Sequence, residues 1–157
     1  MQDTNSIRPF MPNDLDRIVT IEKNCFLPTQ AYSKKQLNYL ITKANSLTLV
    51  ECTDTDIRGF IIVLMRSKSN IAGIETINVD PAHQGKGIAS RLLHSISENL
   101  IYRGLKIIRL EVSMGNISAI QLYKKMGYRT ISLLPNYYHN EYFGSRNAYR
   151  MVKPLQT

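Results

Sequence analysis

The stretch NVDPAHQGKGIASRLL, residues 78–93, sets two glycines and a lysine between a β-branched run and an apolar, helix-periodic run. A strand that ends in a Gly-rich turn and opens a helix exposes free backbone N–H groups at the positive end of the helix dipole, a site suited to phosphate. Two familiar phosphate motifs do not fit. A P-loop requires G-x-x-x-x-G-K-[ST], and Gly85-Lys86-Gly87 has neither that spacing nor the following hydroxyl residue. A dinucleotide fingerprint requires G-x-G-x-x-G after the first strand of a βαβ unit, whereas Ser90 stands at the last glycine and the turn follows a hairpin. What the residues do spell is Q-x-x-G-x-A, from Gln84 to Ala89. Small residues at 85, 87 and 89 let the backbone pass close to a bulky anion, and Lys86 adds a mobile charge at the rim.

Working outward, Ala72–Asp80 reads as the strand entering this turn, stopped by Pro81. Ile88, Leu92, Leu93, Ile96 and Leu100 mark the helix leaving it, with Gly104 at its C′ position. Upstream lie a short strand over Ser6–Phe10, a helix from Asn13 or Asp14 to Phe26, and a second helix from Ser33, where Gln36 completes a capping box. Ser46–Cys52 and Arg58–Arg66 form a hairpin. Downstream are a strand over Lys106–Ser113, a helix capped by Asn116 and ended by Gly127, and two late strands, Tyr128–Leu134 and Ala148–Lys153. The order β-α-α-β-β-β-α-β-α-β-β predicts an α/β (α+β) fold with a mixed, mostly antiparallel sheet covered by helices. No linker or repeat divides the chain, so residues 1–157 are read as one domain.

Bulk composition narrows the function. No apolar run reaches the ~18 residues of a membrane span, and the N-terminus has no apolar core of a signal peptide. The two cysteines, Cys25 and Cys52, read as free and buried thiols, which together with the missing signal points to the cytoplasm. The net charge is +8, but the basic residues are scattered, with no basic arm and no aromatic RNA-binding motif. A solvated basic surface around an anionic ligand accounts for the charge, and no direct nucleic-acid partner is expected.

Four features in order resemble the GNAT N-acetyltransferase superfamily: the strand ending Val79-Asp80-Pro81, the Q-x-x-G-x-A turn, the Glu111-Val112 strand, and the helix Asn116…Leu122-Tyr123…Gly127-Tyr128. The resemblance runs from Ile7 to about Lys153. It implies the GNAT fold, with about seven strands, about four helices, and a V-shaped split between strands 4 and 5. It also implies acetyl-CoA as co-substrate, with no metal. Its pyrophosphate would lie on Gln84, Gly85, Lys86, Gly87, Ile88, Ala89 and Ser90. The backbone of Ile77, Asn78 and Val79 would pair with the pantetheine arm as an added strand and polarise the thioester carbonyl.

Asn116 and Tyr123 are seven residues apart, two helical turns, and so share a helix face. Glu111 ends the preceding strand, aimed at the same cleft. Acetyl transfer to an amine needs a base for the ammonium and an acid for the departing thiolate. The pattern Glu111…Asn116…Tyr123 resembles the bacterial and archaeal N-terminal acetyltransferases that modify ribosomal-protein alanine and related N-termini. That likeness implies Glu111 as base, commonly through water, Tyr123 as acid toward the sulfur, and Asn116 as a cofactor contact. Other readings of the same residues stay open. Tyr123 also suits sheet packing, Glu111 suits a salt bridge, Asn116 caps its helix regardless, and Glu75 is a rival base. Tyr137 and Tyr138 resemble the paired tyrosines that clamp a peptide's first residues, or form a strand-edge aromatic pair; the segment Phe26–Tyr32, with Phe26 and Tyr32, would form the opposite wall.

The chain departs from that group at Ser113, where a basic residue is usual, at Met114-Gly115, at Asn147, and in a longer loop over His139–Arg146. All four departures flank the peptide channel, not the pyrophosphate. The expected activity is acetyl transfer from acetyl-CoA to a primary amine, foremost a protein N-terminal α-amine such as that of a ribosomal protein, by direct attack in a ternary complex. Alternatives are a small-amine acetyltransferase (polyamine, amino sugar or amino acid) and a non-catalytic acyl-CoA-binding sensor. A monomer or homodimer is expected.

Overall fold

The computed structural model describes residues 5–156. In chain order these form β1 (Ser6–Pro9), a 3-10 turn (Pro12–Asp14), α1 (Leu15–Cys25), α2 (Lys34–Thr42), β2 (Ser46–Cys52), β3 (Ile57–Met65) and β4 (Ile71–Val79). Then follow a second 3-10 turn (Pro81–His83), α3 (Ile88–Tyr102), β5 (Ile107–Ser113), α4 (Ile117–Lys125), β6 (Arg129–Leu134) and β7 (Ala148–Pro154). The elements match the expected order. The helix expected from Asn13 or Asp14 begins instead at Leu15, because Pro12 starts a tight turn whose Asp14 carboxylate accepts from the Met11 N–H at 2.7 Å. The Ser33 box forms as expected: Ser33 Oγ accepts from Gln36 N at 3.1 Å, and Gln36 Oε1 accepts from Ser33 N at 2.8 Å.

The strands make one seven-stranded sheet in the order β1-β2-β3-β4-β5-β7-β6. Every neighbouring pair is antiparallel except β4 and β5. β3 is buried on both faces, which explains its unbroken apolar run. On one face Phe60 and Ile62 pack with Val50, Leu37 and the α1 residues Ile18 and Ile21. On the other, Ile61 and Val63 pack with Leu49, Ile108 and the α3 residues Ile88, Leu92, Leu93, Ile96 and Leu100. Each of these fully buried side chains contributes roughly 1.5–3 kcal/mol of transfer free energy. Together they clamp the sheet between α1 and α2 on one side and α3 and α4 on the other.

The feature that makes a site is where the sheet fails to close. β4 and β5 run parallel and pair only at Ile71–Ile107, Ala72–Ile108 and Gly73–Arg109. Beyond Gly73, β4 stays with β3 and β5 stays with β7, so the two strands splay apart and leave unpaired edges facing each other. A bulge sharpens the divergence: Ile62 pairs with Thr76 and Val63 with Ile74, so Glu75 is the extra residue on β4. Among the described residues no helix is long and apolar enough to cross a membrane.

Candidate active site

The split opens into a cleft of about 950 Å³ lined by β4, the Gly-rich turn, the start of α3, β5, α4, the α1–α2 connection and the β6–β7 loop. Its phosphate end is built by two left-handed glycines, Gly85 (φ 81°) and Gly87 (φ 78°), a conformation that strains any side chain with a Cβ. Gly87 is the N-cap of α3, so the first N–H groups of that helix are unpaired within it. Gly59 seats the helix from below: a Cβ there would lie 3.0 Å from both the Asn78 carbonyl oxygen and Ile88 Cγ2. Gln84 Nε2 donates to the Val79 carbonyl at 3.2 Å, tying the turn to the end of β4. Arg91 Nη1 donates to the Lys86 carbonyl at 3.1 Å, and Arg91 Nη2 stands 3.5 Å from the buried Glu51 carboxylate, holding the turn's other side.

Of the residues expected to hold the cofactor, Ile77, Asn78, Val79, Gln84, Gly85, Gly87, Ile88, Ala89, Ser90, Asn116 and Tyr123 all line this one cleft. Lys86 does not; its ammonium lies on the rim, 3.3 Å from His83 Nδ1. The cradle fits a pyrophosphate, because the glycines remove side-chain bulk where the helix N-terminus points. The unpaired edge of β4 fits an extended arm that pairs as a strand would.

Glu111 and Tyr123 reach the cleft from neighbouring elements. Glu111 lies opposite Arg150 in the β5–β7 register. Its carboxylate is 3.0 Å from Arg150 Nη2 and 3.6 Å from Arg109 Nε, so it is a cleft carboxylate and a salt-bridge partner together. Tyr123 packs in the α3-side core with its ring 5.8 Å from Tyr128 while lining the cleft. Burial pushes its phenol up to about 12, so it holds its proton near neutrality, the form that a proton donor needs. Asn116 caps α4, its Oδ1 accepting from Ala119 N at 3.3 Å.

At the far end stand the aromatic residues. Tyr137 and Tyr138 meet edge to face at 5.0 Å. Tyr142 continues the cluster, 5.0 Å from Tyr138 and 6.0 Å from Phe26 across the cleft mouth. Tyr32 donates its hydroxyl to the Glu75 carboxylate. The departures noted in the sequence prove to be one arrangement. Ser113 donates to the Tyr142 carbonyl, and a Cβ on Gly115 would fall 1.7 Å from the Phe143 carbonyl oxygen, so the glycine is what admits the loop. Gln30 Nε2 donates to the Glu141 carbonyl at 3.2 Å, joining the loop to the α1–α2 connection. Asn147 Oδ1 accepts from Asn136 N at 2.9 Å and closes the loop's base.

Two groups in the cleft were not anticipated. Cys25, expected buried, is half-buried; its thiol donates to the Val79 carbonyl at 3.3 Å, and burial pushes it up to about 11, which keeps it un-ionised. Glu22 reads in sequence as one more position on the α1 face. In the structure it is 1% exposed, accepts from Asn78 Nδ2 at 2.9 Å and from the Tyr32 backbone N–H, and is pushed by burial up to about 7. An acidic residue on the apolar side of an amphipathic helix was the available signal.

Comparison with known proteins agrees with this geometry. The model of the acetyltransferase (GNAT) family matches residues 15–128. The [ribosomal protein bS18]-alanine N-acetyltransferase of Escherichia coli (strain K12) is 36% identical over 84 residues, 54% of this chain and 56% of that enzyme. The streptothricin acetyltransferase of Streptomyces lavendulae is 32% identical over 112 residues, 71% of this chain and 59% of that enzyme. The matched regions span between 17% and 59% of the length of such curated relatives. The crystal structure of the ribosomal-protein-S18-alanine N-acetyltransferase from Escherichia coli superposes with a TM-score of 0.86 at 25% identity, covering 98% of this chain and 96% of that one. With its split sheet, glycine cradle and family match in agreement, the chain belongs to the acetyltransferase (GNAT) family.

Proposed function

We propose that the chain transfers acetyl from acetyl-CoA to the N-terminal α-amine of a protein, such as a ribosomal protein, by direct attack in a ternary complex in the cytoplasm. The observation that carries this reading is the cleft's aromatic end: Tyr137, Tyr138, Phe26 and Tyr32 line the same cavity as Glu111 and Tyr123, with Tyr142 joining Tyr138 to Phe26. Phenols there can hydrogen-bond a peptide backbone while their rings exclude water. A free α-amine, with a pKa near ~8 against ~10.4 for lysine, is also the easier amine to deprotonate near neutrality. Gly85, Gly87 and the N–H groups opening α3 hold the pyrophosphate, and the free edge of β4 holds the pantetheine arm. When bound, the thioester supplies the acetyl group. Glu111, beside Arg150, accepts a proton through water, and Tyr123 offers one to the sulfur.

A second reading has its own support. Phe26–Tyr142 stacking and the Gln30–Glu141 bond join the two loops that a peptide would pass between. A roofed mouth suits a compact amine. The deciding experiment is mass spectrometry of mixed free-N-terminus peptides and small amines after incubation with acetyl-CoA. Acetylation of peptide α-amines that spares internal lysines is the expected result; label on small amines alone would move the function to the second reading.

A further inference from the structure

Three carboxyl groups line the cleft: Glu22, Glu75 and Glu111. Glu111 is paired with Arg150 and Arg109, and Glu75 accepts from the Tyr32 hydroxyl. Glu22 differs from both. It is almost wholly buried and its partners are neutral, the Asn78 amide and the Tyr32 backbone N–H. The other groups that face it are the Cys25 thiol on its own helix, the Tyr32 phenol on the α1–α2 connection, Thr76 beside Asn78 on β4, and the Tyr142 phenol from the β6–β7 loop. None of these is a cation. Among the described residues no lysine, arginine or histidine forms an ion pair with Glu22.

A buried carboxylate without a cation is costly. A glutamine could keep an acceptor oxygen for the same two donors at lower cost. What a carboxyl can do there, and an amide cannot, is take a positive charge or a proton. The strand geometry sets which ligand meets it. Ile77 and Val79 pack toward the α3 core, so Thr76 and Asn78 alternate to the opposite face, toward α1. Glu22 therefore lies across β4 from the phosphate turn, on the side walled by Tyr32 and Tyr142. The cation that comes to that side is the acceptor, because an amine with a pKa near ~8 arrives mainly as its ammonium at neutral pH.

We propose that Glu22 receives the ammonium group of the acceptor and takes up the proton it must lose before attack. This rests on the amine-acetylation reading above. One ammonium N–H bond breaks, its electron pair stays on nitrogen, and an O–H bond forms on Glu22. The freed amine then bonds to the thioester carbonyl carbon and the C–S bond breaks. The second proton lost by nitrogen leaves through the water beside Glu111, while the sulfur is protonated from Tyr123. The phenol is recharged by a proton from solvent, and the proton on Glu22 returns to solvent. Two protons leave nitrogen, one ends on the thiol and one in solution. The elevated proton affinity of Glu22 suits the exchange, since about 7 lies close to the amine it must deprotonate.

The test reads Glu22 directly and through turnover. In the CoA-bound chain carrying [δ-13C]glutamate, the Glu22 carboxyl signal is identified by its loss in Glu22→Gln and titrated from about pH 5 to about pH 9, alone and with alanine amide or spermidine. The ammonium probes are expected to lower its midpoint by about one pH unit or more, and N-acetylalanine amide to leave it in place. On the amine that the wild type acetylates, Glu22→Gln is expected to lower kcat/KM for the acceptor about a hundredfold and to flatten the acidic limb of its pH profile. Acetyl-CoA affinity should stay within about twofold, and Glu22→Asp should recover part of the loss. A midpoint unmoved by both ammonium probes, or wild-type kcat/KM in Glu22→Gln, would overturn the proposal. Failure to label peptide α-amines overturns the N-terminal reading instead, and the carboxyl titration is independent of that result.

Discussion

The Ser113 hydroxyl donates to the Tyr142 carbonyl, so the last residue of β5 fastens a loop that starts 26 residues later, at His139. The bond joins the strand that carries Glu111 to the wall of the cleft mouth. Gly115 completes the joint by leaving room for the Phe143 carbonyl. Gly115→Ala forces a methyl into backbone that cannot give way, and should cost about 1–3 kcal/mol of stability. Because the displaced loop carries Tyr142, KM for the acceptor should rise while acetyl-CoA affinity holds. Thermal denaturation and steady-state kinetics with each substrate varied would check both halves.

Tyr123→Phe removes a proton donor and leaves the ring packed against Tyr128. The expected loss in kcat is about ten- to a thousandfold, with little change in acetyl-CoA affinity. Equal turnover in the two proteins would take the phenol out of the chemistry and leave it as a core aromatic.

Gly87→Asp attacks the cradle in two ways. The position has φ 78°, which strains any Cβ, and the new carboxylate would stand at the N-terminus of α3, where an anion is to bind. Isothermal titration should show loss of CoA binding. Unchanged affinity would mean that the pyrophosphate lies elsewhere.

Glu22 links stability to pH. Its folded proton affinity, about 7, lies above the ordinary 4.5, so the folded chain binds a proton there that the unfolded chain has already released between those values. The wild type is therefore penalised progressively as pH rises from about 4.5 to about 7, by at most roughly 3 kcal/mol. Glu22→Gln should melt several degrees above wild type near pH 8 and close to it near pH 5. A melting difference of the same size at both pH values would show that Glu22 does not carry this penalty.

The strands and helices were readable because their signals are local. Ser33 and Gln36 make their box three residues apart, Asn116 caps the helix it precedes, and β3 announces its two-sided burial by an unbroken apolar run. The cleft residues from Ile77 to Ser90 were readable for the same reason, since a strand, a glycine turn and a helix dipole occupy one short stretch. The double character of Glu111 was legible only as alternatives, because Arg150 is 39 residues away.

By itself the sequence determined the element order, the glycine cradle and the pairing of Asn116 with Tyr123 on one helix face, since each follows from steric and hydrogen-bonding preferences acting within a few residues. Tertiary structure alone decided that β7 enters between β5 and β6, bringing Arg150 to Glu111. It also decided that the loop at Tyr142 locks onto Ser113, and that Glu22 is sealed against Asn78 from 56 residues away. Burial is a property of the assembled layers, and only burial raises the proton affinity of that carboxyl, which on α1 alone would be one more solvated acid.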